Sequence, residues 1–264
     1  MKASWRVIVI GLLVAAAYAC GNRGAREAGR PRVRIAAASD LSTALGELVP
    51  RFTGSRAVDV TVSYGSSGNL YAQLLNGAPF DLFLSADVAY PKALEDRGLT
   101  LPDSKFIYAT GRIVIWVPAA SILDVGRDGL SALTSAEVTR IAIANPEHAP
   151  YGRAAVAAMQ RAGVYERIRP KLVFGENVAQ ALQFVQSGAA DAGVVALSLA
   201  LAPNSKSRGR WAEIPLDQYP RIEQAGVILK AAADADAARA FRAFLTSADG
   251  RGILKQFGFS VAGD

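Results

Sequence analysis

The sequence is poor in the residues that bind metal ions or form cross-links. Its 264 residues include one cysteine, one histidine and two methionines. A lone cysteine excludes an internal disulfide in any compartment. One histidine, one cysteine and scattered acids do not make the ligand cluster that a binder of metal cations or siderophores needs. No bound metal cation and no cofactor is therefore expected.

An excess of either charge is also absent once the first 34 residues are set aside. The formal net charge is +6, and residues 1–34 account for it with seven basic residues and one acid. The remaining 230 residues carry 22 basic and 22 acidic residues. The folded part thus offers no basic excess to a phosphate backbone, and nucleic acid is not an expected partner.

Long hydrophobic runs are missing after the amino terminus, and the run at the terminus is short for a membrane span. Residues 1–19 have a basic start, an apolar run from Val7 to Ala17, and the small-x-small triplet that ends at Ala19. This pattern is typical of an export signal. We expect cleavage after Ala19 and a location in the periplasm or at an extracytoplasmic membrane surface.

Cys20 directly follows the predicted cleavage site. In bacterial lipoproteins the residue after the cut is a cysteine that receives lipid, and AYAC resembles that lipobox, although Ala17 stands where leucine is commonest. Lipid anchoring through Cys20 and plain cleavage to a soluble product both fit. Residues 20–32 are predicted to form a flexible basic tether, either a solvated linker or a segment near anionic lipid headgroups.

The rest of the chain alternates between strand-like and helix-like segments. Residues 58–64, VDVTVSY, have the alternation of a strand. The segment after it opens with GSSGN and continues as a helix. Repeated units of this kind predict an α/β fold with mainly parallel sheets flanked by helices. Ligands in such folds collect beyond the carboxyl ends of the strands, at the helix N-termini.

Four turns that end a predicted strand and open a predicted helix are candidates for a binding site. Each should present unpaired N–H groups and the positive end of a helix dipole, which together favour an anion. Glycines allow close approach of the backbone, and serine hydroxyls add neutral donors. The same residues are also ordinary helix caps, and that interpretation stays open for each turn. The turns are residues 39–40 (SD), 65–69 (GSSGN), 149–152 (APYG) and 175–178 (GENV).

Four longer segments carry a resemblance to a known family. They are IAAASDLSTALGEL, VTVSYGSSGNLYAQLLNGAPFDLFLSADVAYPKAL, IAIANPEHAPYGRAAVAAM and GENVAQALQFVQSGAADAGVVALS. The parts GSSG, GAPFDLFLSAD and ANPEHAPYG are the most specific. Over nearly the whole chain after the tether, the sequence resembles the periplasmic molybdate-binding proteins of molybdate and tungstate ABC importers.

The resemblance implies a two-lobed type II periplasmic-binding-protein fold with the ligand in the cleft between the lobes. The first lobe would comprise residues 33–113 and 225–264, and the second lobe residues 114–224. A tetrahedral oxyanion, molybdate or tungstate, would be held by neutral hydrogen bonds from serine hydroxyls, backbone amides and one tyrosine. The implied partners are a membrane permease and its ATPase, and the protein itself would be a monomer.

The resemblance also implies which residues hold the oxyanion. They are Ser39, Asp40 through its backbone, Ser67, Tyr151 and Val178 through its backbone N–H, with Ser66 and Asn177 as secondary candidates. Some relatives carry their tyrosine in the later GVV strand, where this chain has Ala196, and a small residue in place of Tyr151. The phenol would therefore enter from the opposite position. A carboxylate aimed at an oxyanion would repel it, so we expect the Asp40 side chain to turn away and cap the helix.

Other functions are weighed against this one. GSSG is not a nucleophile elbow because Gly68 directly follows Ser67, and no lysine lies three residues after a serine, so no enzyme is expected. The single histidine, His148, is predicted to have a structural or exposed role. A binder of sulfate, thiosulfate or phosphate in the same fold is the nearest alternative. A structural or adhesion lipoprotein would show no response to small molecules.

Overall fold

The computed structural model describes residues 30–261; the predicted export signal, Cys20 and most of the predicted tether lie outside this range. The strands in the described range are β1 (Arg32–Ala38), β2 (Asp59–Gly65), β3 (Leu82–Ser85), β4 (Phe106–Gly111), β5 (Ile113–Pro118), β6 (Ile141–Ala144), β7 (Leu172–Gly175), β8 (Ala192–Ala196), β9 (Gly209–Glu213) and β10 (Ile222–Ile228).

The α-helices in the same range are α1 (Ser42–Gly54), α2 (Ser67–Leu75), α3 (Ala89–Asp96), α4 (Val125–Asp128), α5 (Pro150–Arg161), α6 (Tyr165–Ile168), α7 (Val178–Gln186), α8 (Leu197–Ala200), α9 (Pro203–Lys206), α10 (Ala235–Leu245) and α11 (Ala248–Gln256). Short 3₁₀ turns lie at Ser39–Leu41, Gly129–Thr134, Arg169–Lys171 and Leu216–Gln218. None of the helices within residues 30–261 is long and apolar enough to cross a membrane.

The strands form two five-stranded sheets, one in each lobe, that are built alike. The first has the order β2-β1-β3-β10-β4 and the second the order β7-β6-β8-β5-β9. In each sheet one strand, β10 or β5, runs antiparallel to both of its neighbours. The other four strands therefore point the same way. This confirms the predicted two-lobed α/β fold with mainly parallel sheets.

Apolar periodicity explains how the helices cover the first sheet. Helix α1 buries Leu45, Leu48 and Phe52, which recur at helical spacing. The Phe52 ring packs edge-on against Phe241 of α10, with ring centroids 5.1 Å apart. Such edge-to-face pairs stabilise a core beyond the area that they bury. The first lobe thus has its own core.

A separate core forms around the second sheet. Trp116 of β5 is buried together with Met159 of α5 and Leu182 of α7, so helices pack against this sheet. The strands themselves read as continuous apolar runs, because both faces of a sheet between helices are buried. Each lobe is therefore a rigid platform for the loops at its strand ends.

The chain crosses between the lobes twice. The first crossing is at Arg112, between β4 and β5, and the second lies between β9 and β10. The structure places Ile113 in the second sheet, and it places residues 222–224 in the first, where Ile222 pairs with Gly111. The predicted lobe boundaries, 113/114 and 224/225, are thus displaced by one and three residues. A continuous β pattern does not show where a chain changes sheet.

Two further details differ from the sequence prediction. Strand β4 (Phe106–Gly111) was not predicted, although its residues Phe106, Ile107 and Tyr108 are strand formers. The sequence pattern of residues 211–220, WAEIPLDQYP, predicts a β stretch, but strand β9 ends at Glu213, because Pro215 and a 3₁₀ turn follow. Neither difference changes the positions of the candidate site residues.

Candidate functional site

The carboxyl ends of strands from both lobes meet around one small cavity. Strands β1, β2 and β3 lead into it from the first lobe, and the loops after β6 and β7 lead into it from the second. The residues that line it are Ala38, Ser39, Asp40, Gly65, Ser66, Ser67, Ala86, Ala149, Pro150, Tyr151 and Val178. Of the seven predicted residues, only Asn177 is not among them.

Two buried serines contribute hydroxyl groups from the first lobe. Ser39 follows β1 directly, and Ser67 is the first residue of α2. The Ser67 oxygen accepts a hydrogen bond from the Ala86 N–H at 2.9 Å. Because a hydroxyl has a single hydrogen and the oxygen is fixed by this bond, the Ser67 proton is available for another acceptor. The loop after β3 thus orients Ser67 as a donor.

Helix capping leaves one backbone amide open at each of two helix starts. The Asn177 side chain accepts from the N–H groups of Ala179 and Gln180, so its role is to cap α7. Ser66 likewise caps α2 by accepting from the Asn69 N–H. Among the described residues, these caps leave the backbone N–H groups of the first helical residues, Ser67 and Val178, without an acceptor. Both residues line the cavity.

The Asp40 side chain does not cap a helix, contrary to expectation. Its carboxylate accepts from the Tyr151 hydroxyl at 2.8 Å and from Gln224 Nε2 at 2.6 Å. The reason is that Asp40 lies inside the 3₁₀ turn that leads straight into α1, where no cap by a side chain forms. The Asp40 side chain, which was expected to cap the helix, instead makes buried hydrogen bonds at the edge of the cavity.

Burial dominates the electrostatics of Asp40. The residue is fully buried, and this desolvation raises its pKa from 3.8 to about 6, although hydrogen bonds from Gln224 and Tyr151 oppose the change. Its second oxygen, Oδ1, has no hydrogen-bond partner among the described residues. Among residues 30–261, no lysine or arginine lines the cavity. The site therefore offers an anion neutral donors and places one acid beside them.

Tyr151 enters the cavity from the second lobe, at the start of α5. Its hydroxyl lies between Asp40 Oδ2 and Gln224 Nε2, which is 3.1 Å away. Desolvation raises its pKa well above the usual value, with the nearby charge of Asp40 adding to the shift, so the phenol stays protonated. Gly111 makes room for this hydroxyl, because a methyl group at that position would overlap it.

Gln224 is a residue of the site region that the sequence did not reveal. It is fully buried in β10, next to the second crossing, and its Oε1 has no hydrogen-bond partner among the described residues. It lies 184 positions after Asp40, and no local motif surrounds it. The pairing of β10 with β3, which in turn pairs with β1, brings it to Asp40, so periodicity could not have found it.

Direct contacts join the two lobes around the cavity. Ser66 Oγ and His148 Nδ1 are 2.8 Å apart, and the Gly68 N–H donates to the His148 carbonyl at 2.9 Å. A side chain at position 68 would collide with that carbonyl, which explains the second glycine of GSSGN. Asn69 donates to Glu176 at 3.1 Å, and Arg153 pairs with Asp87. The structure is thus a closed arrangement of the lobes.

The described residues hold no alternative centre for a metal cation. Within residues 30–261, no three His, Cys, Asp or Glu side chains cluster as a metal ion would require. Ser39, Ser67, Tyr151 and Val178 instead bring hydroxyl and amide groups to one point from two lobes. This donor set suits an oxygen-rich anion rather than a cation.

Comparison with known proteins agrees with this geometry. A family model described as bacterial extracellular solute-binding protein matches residues 33–260. The molybdate-binding protein ModA of Rhodobacter capsulatus is 37% identical over 228 residues, which are 86% of this chain and 87% of that protein. Such relatives are transport proteins that bind a solute.

Solved structures show the same likeness. The periplasmic molybdate-binding protein of Azotobacter vinelandii matches with a TM-score of 0.80 and 32% identity, over 87% of this chain and 99% of that one. The sulfate-binding protein SubI of Mycobacterium tuberculosis matches with a TM-score of 0.74 over 88% of each chain, but at 16% identity, and shows the shared fold alone. The chain belongs to the family of bacterial extracellular solute-binding proteins.

Proposed function

We propose that this protein captures molybdate, and with it tungstate, outside the cytoplasm and delivers it to an ABC permease with its ATPase. The observation that carries the proposal is the cavity itself, in which hydroxyl and amide donors from both lobes converge and no cationic side chain is present. The relatives named for molybdate binding, at 32–37% identity, support the choice of ligand.

The donor set favours a fully ionised tetrahedral oxyanion. In this proposal Ser39 and Ser67 donate through hydroxyls, Ser67 and Val178 through N1 amides, and Tyr151 through its phenol. These groups contact the oxygens of the ligand, so none of them is a ligand of the metal atom. Fixed donors fit one ligand radius best, which separates molybdate and tungstate from the smaller sulfate. They also disfavour hydrogen phosphate, whose proton would need an acceptor.

Ligand binding would stabilise the closed arrangement of the lobes. Ser39 and Ser67 belong to the first lobe, and Tyr151 and Val178 to the second, so the oxyanion bridges them. A ligand shifts the equilibrium between the open and closed arrangements only if it binds one of them more tightly than the other. The permease would recognise the closed form, in which the residues around Asp87 and Arg153 are brought together.

Attachment to a membrane is a separate part of the proposal. Cys20 would carry a lipid after removal of residues 1–19, and the mature protein would act as a monomer on a basic tether. Metabolic labelling with a palmitate probe tests this part, because a Cys20→Ala variant should lose both the label and the association with membranes. A labelled Cys20→Ala protein, or an unlabelled wild type, would contradict it.

Thermal unfolding with equal concentrations of molybdate, tungstate, sulfate, thiosulfate and phosphate tests the ligand. A ligand that binds only the folded state stabilises it by about 4 kcal/mol at a thousandfold excess over Kd. We expect a large upward shift of Tm with molybdate and tungstate alone. A shift with sulfate or phosphate alone would support an anion site but refute molybdate as its ligand. No shift with any anion would refute oxyanion binding.

A matched pair of variants tests the site. Ser67→Ala removes one hydroxyl donor to a charged ligand, a loss of about 1.5–3 kcal/mol or roughly 10- to 150-fold in Kd. Ser187→Ala is the control, because Ser187 is exposed and lies at the other end of α7, about 14 Å along the helix from Val178. Equal molybdate affinities of the two variants would show that Ser67 does not contact the ligand.

A further inference from the structure

We infer that Asp40 takes up a proton when the oxyanion binds, so that the site binds one proton together with its ligand. The inference rests on the proposed function. It also assigns Asp40 a role different from direct contact with the ligand: the residue positions the hydrogen of the Tyr151 phenol.

The Tyr151 hydroxyl has one hydrogen, and Asp40 Oδ2 is its acceptor at 2.8 Å. Gln224 Nε2 donates to the phenol oxygen at 3.1 Å and to Asp40 Oδ2 at 2.6 Å. While Asp40 is ionised, the phenol therefore presents only oxygen lone pairs to the cavity. In that state Tyr151 cannot donate to an oxyanion without abandoning the carboxylate.

Protonation of Asp40 reverses the direction of this hydrogen bond. A carboxylic acid at position 40 donates its proton to the Tyr151 oxygen, and the phenol hydrogen is then free to point to a ligand oxygen. The proton comes from solvent and stays on Asp40, and no covalent bond other than this O–H forms or breaks. The same step removes a buried negative charge from the edge of a site for a dianion.

The surroundings of Asp40 favour the neutral form. Burial already raises the pKa of Asp40 to about 6 without a ligand, and no arginine or lysine pairs with it in the described part of the chain. Hydrogen bonds from Gln224, Tyr151 and the backbone N–H groups of Asp40 and Leu41 lower this pKa, but the effect of burial is larger. A dianion nearby would raise this pKa further, because like charges disfavour ionisation. Binding near neutral pH would thus draw in a proton.

The ionisable groups that face Asp40 come from several elements. Tyr151 of α5 contacts it, and Tyr108 of β4 senses its charge while its hydroxyl donates to the Ser85 carbonyl. Tyr219 faces Tyr151 in turn. The pKa values of all three phenols are raised, so they remain neutral. His148, whose ring contacts Ser66 beside the cavity, is a further ionisable group, and its contribution must be separated.

Titration calorimetry of the protein with sodium molybdate provides the test. At each pH from 6.5 to 8.5, the binding enthalpy in buffers of different ionisation enthalpy gives the number of protons taken up. We expect up to one proton for the wild type and a Kd that rises as much as tenfold per pH unit above the pKa of free Asp40. Molybdate remains a dianion over this range, so the ligand does not supply the effect.

Two variants make the test specific. In Asp40→Asn the side-chain amide can donate to the phenol as the acid would, so we expect binding without proton uptake and with a flat pH profile. His148→Gln should keep the proton uptake of the wild type. If the wild type binds molybdate without proton uptake, or if Asp40→Asn still takes up a proton, the inference is refuted but the proposed function is not. Absence of any molybdate binding by wild type and variants would refute the proposed function as well.

Discussion

A change at Asp40 should alter how the stability of the free protein depends on pH. The pKa of this carboxyl is about 6 in the folded protein and 3.8 when exposed to water, because folding buries it. A group with a raised folded pKa favours folding most below its unfolded pKa, and the benefit is lost as pH rises through the folded pKa. The contribution of Asp40 to the stability of the wild type should therefore fall between about pH 4 and pH 6.5.

The size of this effect follows from the two pKa values. A difference of about two pH units corresponds to roughly 3 kcal/mol at 1.36 kcal/mol per unit. Asparagine does not ionise, so the stability of Asp40→Asn relative to the wild type should increase by about 2 kcal/mol from pH 4 to pH 8, because part of the full difference lies below pH 4. For a chain of this size, that is about 4–8 °C in Tm.

Thermal unfolding of both proteins at pH 4, 5, 6, 7 and 8, without oxyanion, measures the difference. Comparing the variant with the wild type at each pH cancels the titration of all other groups. A difference in Tm that stays constant from pH 4 to pH 8 would show that Asp40 ionises as easily when folded as when unfolded. The account of the buried carboxyl given above would then be wrong.

Further predictions concern the backbone around the cavity. Val178→Pro removes the backbone N–H at the first position of α7. Proline is compatible with that position and with the extended conformation of Asn177 before it. We expect at least a tenfold loss of molybdate affinity by calorimetry, whereas Val178→Ala, which keeps the N–H, should bind molybdate much more tightly than the proline variant. Gly111→Ala places a methyl group on the Tyr151 hydroxyl, so the phenol must move, and we expect weakened binding with a circular dichroism spectrum like that of the wild type. Unchanged affinity in either Val178→Pro or Gly111→Ala would mean that the corresponding donor does not reach the ligand.

The fold could be predicted from the sequence because its signals are local. Alternating β and α patterns and the segments that resemble a known family specified two lobes with mainly parallel sheets. The candidate residues Ser39, Ser67, Tyr151 and Val178 line one cavity because each follows the carboxyl end of a strand. That consequence of α/β topology holds without knowledge of any side-chain contact.

The parts that could not be predicted depend on long-range pairing. Asp40 was expected to cap its own helix, the local choice, but its partners Tyr151 and Gln224 lie 111 and 184 positions away. The side chain of His148 meets Ser66 across the lobes for the same reason. Sequence patterns locate strand ends, but they do not show which polar groups the closed lobes bring together.

The location of a bound tungsten atom tests the central claim most directly. Crystals of the protein would be grown with tungstate and an excess of sulfate, and anomalous diffraction would be measured at the tungsten absorption edge. We expect one strong anomalous peak inside the cavity. The tungstate oxygens should lie within hydrogen-bonding distance of Ser39, Ser67 and the Val178 amide, and the tungsten atom one tungsten–oxygen bond behind them. A cavity filled by sulfate, or tungsten bound only elsewhere on the protein, would contradict it.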